Sequence, residues 1–315
     1  MVWRCYITVA EVRKFAIEKF NKVNQDKAWI EDDFSRKLIS TPSLDCDCIL
    51  SQVLRISRSV IFSHPERVLS EQETEDFIKK VDLRCTGFPV AYITERKEFY
   101  GRDFIVNPSV LIPKPDTEIL VYRGIEIISK KLQENLQVKF VDLCTGSGCV
   151  AVSLWKELES SFDVDKMIFF ATDISPDALS IAKQNCSFHQ CDIEFLLCDL
   201  LQAKELVGLD GIISNPPYVP NEIATKLLKD GRSEPLLALD GDCNGSVDGT
   251  GLIARLLSQG FEKLNPGGFI LLETGEYNAE LTAKLMEQNG FADIRIHADL
   301  SGMLRVVEGW KPHEL

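Results

Sequence analysis

Val138-Lys-Phe-Val-Asp-Leu-Cys-Thr-Gly-Ser-Gly-Cys-Val150 reads as a strand, a glycine-bearing turn and the start of a helix. Glycines at a first strand-to-helix turn let the backbone approach a ligand closely. The loop alone leaves the ligand open, because Gly146-Ser-Gly148-Cys-Val-Ala151 also matches the dinucleotide pattern G-x-G-x-x-A. Outward from it, short apolar runs alternate with helical periodicity. Strands are expected at 138–143, 167–172, 193–197, 209–214, 268–273, 292–297 and 303–308. Helices fit at 149–159, 176–186, 251–264 and 277–288. Such alternation means βαβ units and a mostly parallel sheet with helices on both faces. Too few residues separate the last two strands for a helix, so they must pair antiparallel.

The N-terminal 85 residues read differently. Thr8-x-x-Glu11 and Ser70-x-x-Glu73 are capping boxes, each opening a helix. Val12, Phe15, Ala16, Phe20 and Val23 follow the first at helical spacing; Phe77, Ile78 and Val81 follow the second. Another helix starts near Ser43 and carries Leu44, Ile49, Leu50, Val53 and Leu54. No strand pattern occurs here, so a small helical bundle is expected. From Thr86-Gly87 the period changes. Residues 89–94 and 98–106 are β-branched and aromatic, with charged breaks at 95–97 and 101–103, and read as a β-hairpin. The expected organisation is a helical domain at 1–85, a hairpin linker at 86–107 and an α/β domain at 108–315. A helix begins near Asp116, with Asp116 and Glu118 in its first turn.

Composition narrows the function. The 315 residues carry 35 Lys+Arg against 48 Asp+Glu, a net charge of −13, with 45% hydrophobic and 26% charged residues. That is ordinary for a folded protein with a proper core. Residues 1–80 hold 13 basic and 13 acidic side chains, so the whole acidic excess lies beyond them. The balance argues against a broad basic face for nucleic acid. No run approaches the roughly 18 apolar residues of a membrane span, and the first ten residues are too short an apolar stretch for a signal peptide. A cytoplasmic, monomeric protein is expected, free of membrane and nucleic acid. The ten cysteines lack paired C-x-x-C spacing and the four histidines are isolated, so reduced thiols and no metal are expected.

Three acids stand at successive strand ends. Asp142 ends the first, Asp173 the second, where a carboxylate suits ribose hydroxyls, and Asp199 follows the third, where it suits an exocyclic amine. That set fits a nucleoside without pyrophosphate better than a dinucleotide. Asn215-Pro-Pro-Tyr218 then follows the fourth strand, at the edge where open α/β sheets bind ligands. A planar NH₂ is a poor nucleophile because its lone pair is delocalised. The Asn215 side-chain oxygen and the Pro216 carbonyl could take its two hydrogens and aim the nitrogen at a methyl sulfonium. Pro216 and Pro217 stiffen the loop by fixing φ, and Tyr218 offers an aromatic wall. Positioning and electrostatics carry the work, with no strong base required.

With these motifs the chain resembles the HemK/PrmC family, the peptide chain release factor N(5)-glutamine methyltransferases. The resemblance covers the C-terminal 230 residues and the plan of the helical N-terminus. Besides the glycine loop and N-P-P-Y it rests on Gly87-Phe-Pro-Val-Ala-Tyr-Ile-Thr94, Glu98-Phe-Tyr-Gly101, Leu111-Ile-Pro-Lys-Pro-Asp-Thr-Glu118, Glu234-Pro-Leu-Leu-Ala-Leu239 and Arg305-Val-Val307. It implies a class I, Rossmann-like methyltransferase fold. It also implies transfer of a methyl from S-adenosylmethionine to the glutamine of a Gly-Gly-Gln motif, leaving S-adenosylhomocysteine. The implied cofactor residues are Asp142, Cys144, Thr145, Gly146, Ser147, Gly148, Asp173, Asp199, Leu200 and Asn215. Asn215, Pro216, Pro217, Tyr218 and Glu234 would meet the substrate glutamine, with Phe99 and Tyr100 either lining the same pocket or forming ribbon core. The helical domain would help recognise the release factor. Three positions depart from the family pattern: Cys144 where glycine is more usual, Lys114 where arginine is common, and Ser233 where an aromatic is frequent. The rival readings are a nucleic-acid adenine-N6 methyltransferase with the same N-P-P-Y pocket, and a nicotinamide oxidoreductase or nucleotide-binding module, in which that motif has no role.

Overall fold

The computed structural model describes residues 7–26, 38–134, 137–229 and 234–313. The chain divides into two units, residues 1–95 with 226–233, and residues 96–225 with 234–315.

In the first unit β1 (Ile7–Thr8) leads into α1 (Val9–Gln25), followed by α2 (Pro42–Leu54), α3 (Arg58–Ser63), β2 (Val68–Leu69), α4 (Glu71–Cys85) and α5 (Val90–Thr94). Both capping boxes form, at Thr8 with Glu11 and at Ser70 with Glu73. Phe20, Ile49, Leu50, Phe77 and Val81 meet in one buried cluster. Arg84 is buried among them. It pairs with Asp45 at 2.8 Å and donates to the carbonyls of Phe88 and Leu38, so its charge is not left unpaired. Two expectations are corrected. Strand structure does occur, as the short antiparallel pair β1–β2. Residues 90–94 are a helix, not the first arm of a hairpin. Tyr92 and Ile93 are consecutive and both buried, which an alternating strand cannot achieve, and Glu95 in the left-handed region (φ +57°) ends the turn. Tertiary burial here overrides the β-propensity of Val, Tyr, Ile and Thr.

The second unit opens with an antiparallel ribbon of β3 (Arg96–Phe99) and β4 (Arg102–Ile105), which turns at Tyr100-Gly101. The elements that follow are α6 (Glu118–Glu134), β5 (Val138–Leu143), α7 (Cys149–Glu159), β6 (Met167–Asp173), α8 (Pro176–His189), β7 (Glu194–Leu197), β8 (Leu209–Ser214), α9 (Asn221–Lys229, of which 226–229 are counted with the first unit), α10 (Gly251–Lys263), β9 (Leu264–Glu273), α11 (Ala279–Gln288), β10 (Ala292–Ala298) and β11 (Leu304–Trp310). The seven strands lie in the order β10-β11-β9-β8-β5-β6-β7, with β11 antiparallel to both neighbours and the rest parallel. This is the expected sheet with its reversed hairpin. Its central strands, β5, β6, β8 and β9, are apolar on both faces. Phe140, Phe169, Ile213 and Leu271 meet α6 and α7 on one side; Val141, Phe170, Ile212 and Leu272 meet α10 and α11 on the other. Double burial explains why the strands read as unbroken apolar runs. The order reverses at β5–β8, and a ligand crevice belongs at the carboxyl ends there. No helix among the described residues is long and apolar enough to cross a membrane.

Candidate active site

A cavity of about 820 Å³ opens at the carboxyl ends of β5, β6, β7 and β8. Of the expected residues, Asp142, Cys144, Thr145, Gly146, Ser147, Asp173, Asp199, Leu200, Asn215 and Pro217 line it. Gly148, Pro216, Tyr218, Glu234, Phe99 and Tyr100 are not among its lining residues.

The glycine loop is fixed from several directions. Thr145 N–H donates to Thr172 O at 2.9 Å and Gly148 N–H to Thr145 O at 2.8 Å. Gly148 has a φ of +78°, and a Cβ there would stand 3.2 Å from the Ala182 backbone, so glycine is what lets α7 begin against α8. The buried Asn185 side chain accepts from Ile105 N–H at 2.7 Å and donates to Ile105 O and Ser147 O at 2.9 and 2.8 Å. It thus ties the ribbon to the loop.

The carboxylates differ in their surroundings. Asp142 is buried, accepts the Thr145 hydroxyl at 2.7 Å, and is pushed up to about 7 by burial. Asp173 holds the loop with both oxygens, taking Gly146 N–H and Ser175 N–H at 2.9 Å each. Burial raises its pKa and those backbone donors oppose the shift. Asp199 is paired with Arg255 at 2.5 Å and also accepts from Gln202. Asp177, Asp240 and Asp242 line the same cavity, against Lys114 and Arg255. Six carboxylates facing two cations favour a cationic ligand and oppose a pyrophosphate. Replacing Asp173 by alanine strips two backbone donors of their acceptor. Hydrogen bonds to a charged group contribute about 1.5–3 kcal/mol each. Affinity for S-adenosylhomocysteine, the product the resemblance implies, is therefore expected to fall at least ~10-fold by calorimetry; an unchanged affinity would mean that Asp173 holds no such ligand.

Asn215 follows β8 directly. Its amide nitrogen donates to the Thr117 hydroxyl at 3.1 Å, which leaves the side-chain oxygen as its acceptor for a ligand. The rest of the motif is anchored from behind. The Tyr218 hydroxyl meets Glu273 at 3.3 Å, and the Tyr218 carbonyl accepts from Asn278 and Tyr277 at 3.1 and 3.2 Å. A Cβ on Gly249, whose φ is +78°, would lie 2.0 Å from that carbonyl oxygen, so the neighbouring loop needs glycine to approach. Tyr218 packs against the α10–α11 side of the core, away from the role of cavity wall read from the sequence.

Of the two readings left open for Phe99 and Tyr100 the structure takes ribbon core, and Glu234 departs from expectation. Phe99 is 2% exposed and packs with Phe104 in the core beside α6 and α7, because β3 turns that face inward. Tyr100 packs on the same cluster and its N–H donates to Glu118. Both are ribbon core. Glu234 accepts from Ile112 N–H and pairs with Lys114 at 2.7 Å, joining two segments of the cavity rim through a residue that does line it. Ser233 lies outside the described residues. Thr117, Asn185, Arg255 and Glu273 were not singled out in the sequence. Only Thr117 had a local signal, its place in Ile112-Pro-Lys-Pro-Asp-Thr-Glu118. The nine cysteines among the described residues are free, and no cluster of metal-ligating side chains occurs among them.

Two family models match the sequence: the PrmC N-terminal domain over residues 27–94 and the methyltransferase small domain over residues 120–233. A release factor glutamine methyltransferase of Koribacter versatilis is 37% identical over 274 residues, 86% of this chain and 92% of that protein. The chain belongs to the release factor glutamine methyltransferase family. Family members from Clostridium acetobutylicum and Coxiella burnetii are 34% and 35% identical, over 84% and 85% of the chain and 89% and 91% of the relatives. Within the family pattern the Cys144 departure has a physical reading. Its φ of +57° is the left-handed conformation that glycine adopts freely, so cysteine here carries a local backbone cost.

Proposed function

We propose that this protein transfers a methyl group from S-adenosylmethionine to the side-chain amide nitrogen of glutamine in the Gly-Gly-Gln motif of peptide chain release factors. The observation that supports it most is Asn215, its amide nitrogen held by Thr117 and its oxygen left to accept, in one cavity with the glycine loop and Asp173. The residues present fit the cofactor. Gly146 has a φ of +53° and only the Cys144 carbonyl oxygen, at 3.9 Å, near where a Cβ would stand, and the acidic lining suits a sulfonium. Bound S-adenosylmethionine supplies an electrophilic methyl.

Asp173 and the loop from Cys144 to Gly148 would seat its ribose and methionine parts. Asp199 and Leu200 would border the adenine, with Arg255 sharing the Asp199 carboxylate. Asn215 Oδ1 and the Pro216 carbonyl would hold the two hydrogens of the substrate amide and fix the nitrogen in line with the methyl. The nitrogen so held would take the methyl that the cofactor supplies, its sulfur–carbon bond breaking in exchange, and one amide proton would leave to water. The helical unit would help select the release factor, and the chain would act without nucleic acid, as a monomer in the cytoplasm.

The test is incubation with S-adenosylmethionine and an unmodified release factor, then mass analysis of the Gly-Gly-Gln peptide. One added methyl on that glutamine is expected. An unmodified glutamine beside methylated adenine in a nucleic-acid control would overturn the proposal.

A further inference from the structure

Glu273 ends β9 as a carboxyl 1% exposed, directly after the buried apolar run 269–272. One oxygen meets the Tyr218 hydroxyl at 3.3 Å. The other, Oε2, is buried with no hydrogen-bond partner among the described residues. Buried carboxyl oxygens rarely stay unpaired without a reason. Burial pushes this carboxyl up to about 7, and the hydroxyls of Thr117, itself 2% exposed, and Tyr218 oppose that shift and favour the ionised form. The same hydroxyl accepts from Asn215 at 3.1 Å.

We propose that Glu273 and Thr117 form a positioning relay that fixes which way round the Asn215 amide faces. The inference rests on the reading of Asn215 as acceptor for the substrate amide. A threonine hydroxyl has one proton. Donated toward Glu273 Oε2, it leaves only lone pairs facing Asn215. Asn215 must then turn its NH₂ to Thr117 and its carbonyl oxygen to the cavity. Without the carboxylate, the hydroxyl could donate to the Asn215 oxygen instead. The amide would flip, and its NH₂ would meet the NH₂ of the substrate, donor against donor. Glu273 touches no ligand, and its role is carried through Thr117. Its contact with Tyr218 fixes the other end of the same motif, so one buried carboxylate sets both the orientation and the anchorage of Asn215-Pro-Pro-Tyr218.

The test separates hydroxyl chemistry from packing. Thr117→Val keeps the volume and removes the hydroxyl, while Thr117→Ser keeps the hydroxyl. For Thr117→Val, kcat is expected to fall about 10- to 100-fold, with KM for the release factor and S-adenosylhomocysteine affinity within about 3-fold of wild type. Thr117→Ser should stay within about 3-fold in kcat. Glu273→Gln, which can still accept, should cost less than Thr117→Val. Asn215→Asp presents an acceptor either way round and has nothing to flip. In single turnover, adding Thr117→Val to Asn215→Asp should therefore cost no further activity.

A Thr117→Val enzyme as active as wild type would overturn the relay, as would equal losses in the serine and valine variants or a full valine penalty on the Asn215→Asp background. Failure of the wild-type enzyme to methylate release factor glutamine would instead overturn the functional reading beneath it.

Discussion

Asn215→Ala should abolish methyl transfer while leaving cofactor affinity nearly unchanged. The side chain stands at the carboxyl end of β8, and its amide nitrogen is committed to Thr117 at 3.1 Å. What remains for the substrate is one carbonyl oxygen. Alanine removes it without disturbing Gly146 and Ser175, which are held by Asp173, or Thr145, which is held by Asp142. Losing one preorganised hydrogen-bonding group aimed at a reacting centre typically costs about 10²–10³ in kcat. The substrate nitrogen would also lose the constraint that keeps its lone pair in line, so the loss should sit at the upper end. S-adenosylhomocysteine affinity, measured by calorimetry, should stay within about 3-fold, because the carboxylates proposed to hold the nucleoside are untouched. Asn215 also lines the cavity. Parallel losses of transfer and affinity would therefore make it a cofactor ligand or a structural residue and remove it from catalysis.

The difference between local and long-range information explains what the sequence disclosed. The central strands were legible because they are buried on both faces, so that apolar runs such as 138–143 and 209–214 stand out without partners, whereas the edge strands β7 and β10 are partly exposed. The glycine loop and Asn215-Pro-Pro-Tyr218 were legible because backbone needs impose residue types locally. Residues 90–94 misled, since Val, Tyr, Ile and Thr favour strands in isolation and only the burial of Tyr92 and Ile93 on one side makes a helix there. The side-chain pairings were out of reach. Asn215 meets Thr117 across 98 positions and Arg255 meets Asp199 across 56, and neither pairing leaves a periodic trace. Tyr218 shows the same limit. Its residue type suggested a wall, and only the placement of Glu273 at the end of β9 reveals a tether.

Glu308→Ala should produce the largest loss of stability of any single change outside the site. Glu308 lies on β11, between β9 and β10, with its side chain fully buried. Arg123 grips both oxygens, at 2.7 and 3.1 Å, and His297 and Trp310 donate at 2.7 and 2.8 Å. All three partners are side chains, from α6, β10 and β11, so one carboxylate links the reversed hairpin to the helix that covers it. Burial alone would raise its pKa. The hydrogen bonds from His297, Arg123 and Trp310 outweigh burial and hold it well below the usual carboxylate range. Removing it leaves the Arg123 guanidinium with Glu126 alone. Breaking one side of a buried, hydrogen-bonded ion pair costs about 3–5 kcal/mol. For a unit of this size that should lower the melting midpoint by roughly 6–20 °C in calorimetry. The sign with pH is also fixed. A depressed native pKa contributes stability that is present above the unfolded pKa of about 4.3 and is lost as pH falls through the native value. The variant should therefore lose least relative to wild type in acid and most at neutral pH. Glu308→Gln, which keeps acceptors but not charge, should fall between the two. S-adenosylhomocysteine affinity well below the melting midpoint should match wild type, since none of Glu308, Arg123, His297 or Trp310 lines the cavity. A shift under about 2 °C at neutral pH would mean that the sheet and α6 are held by apolar packing alone, with the ion pair merely accommodated between them.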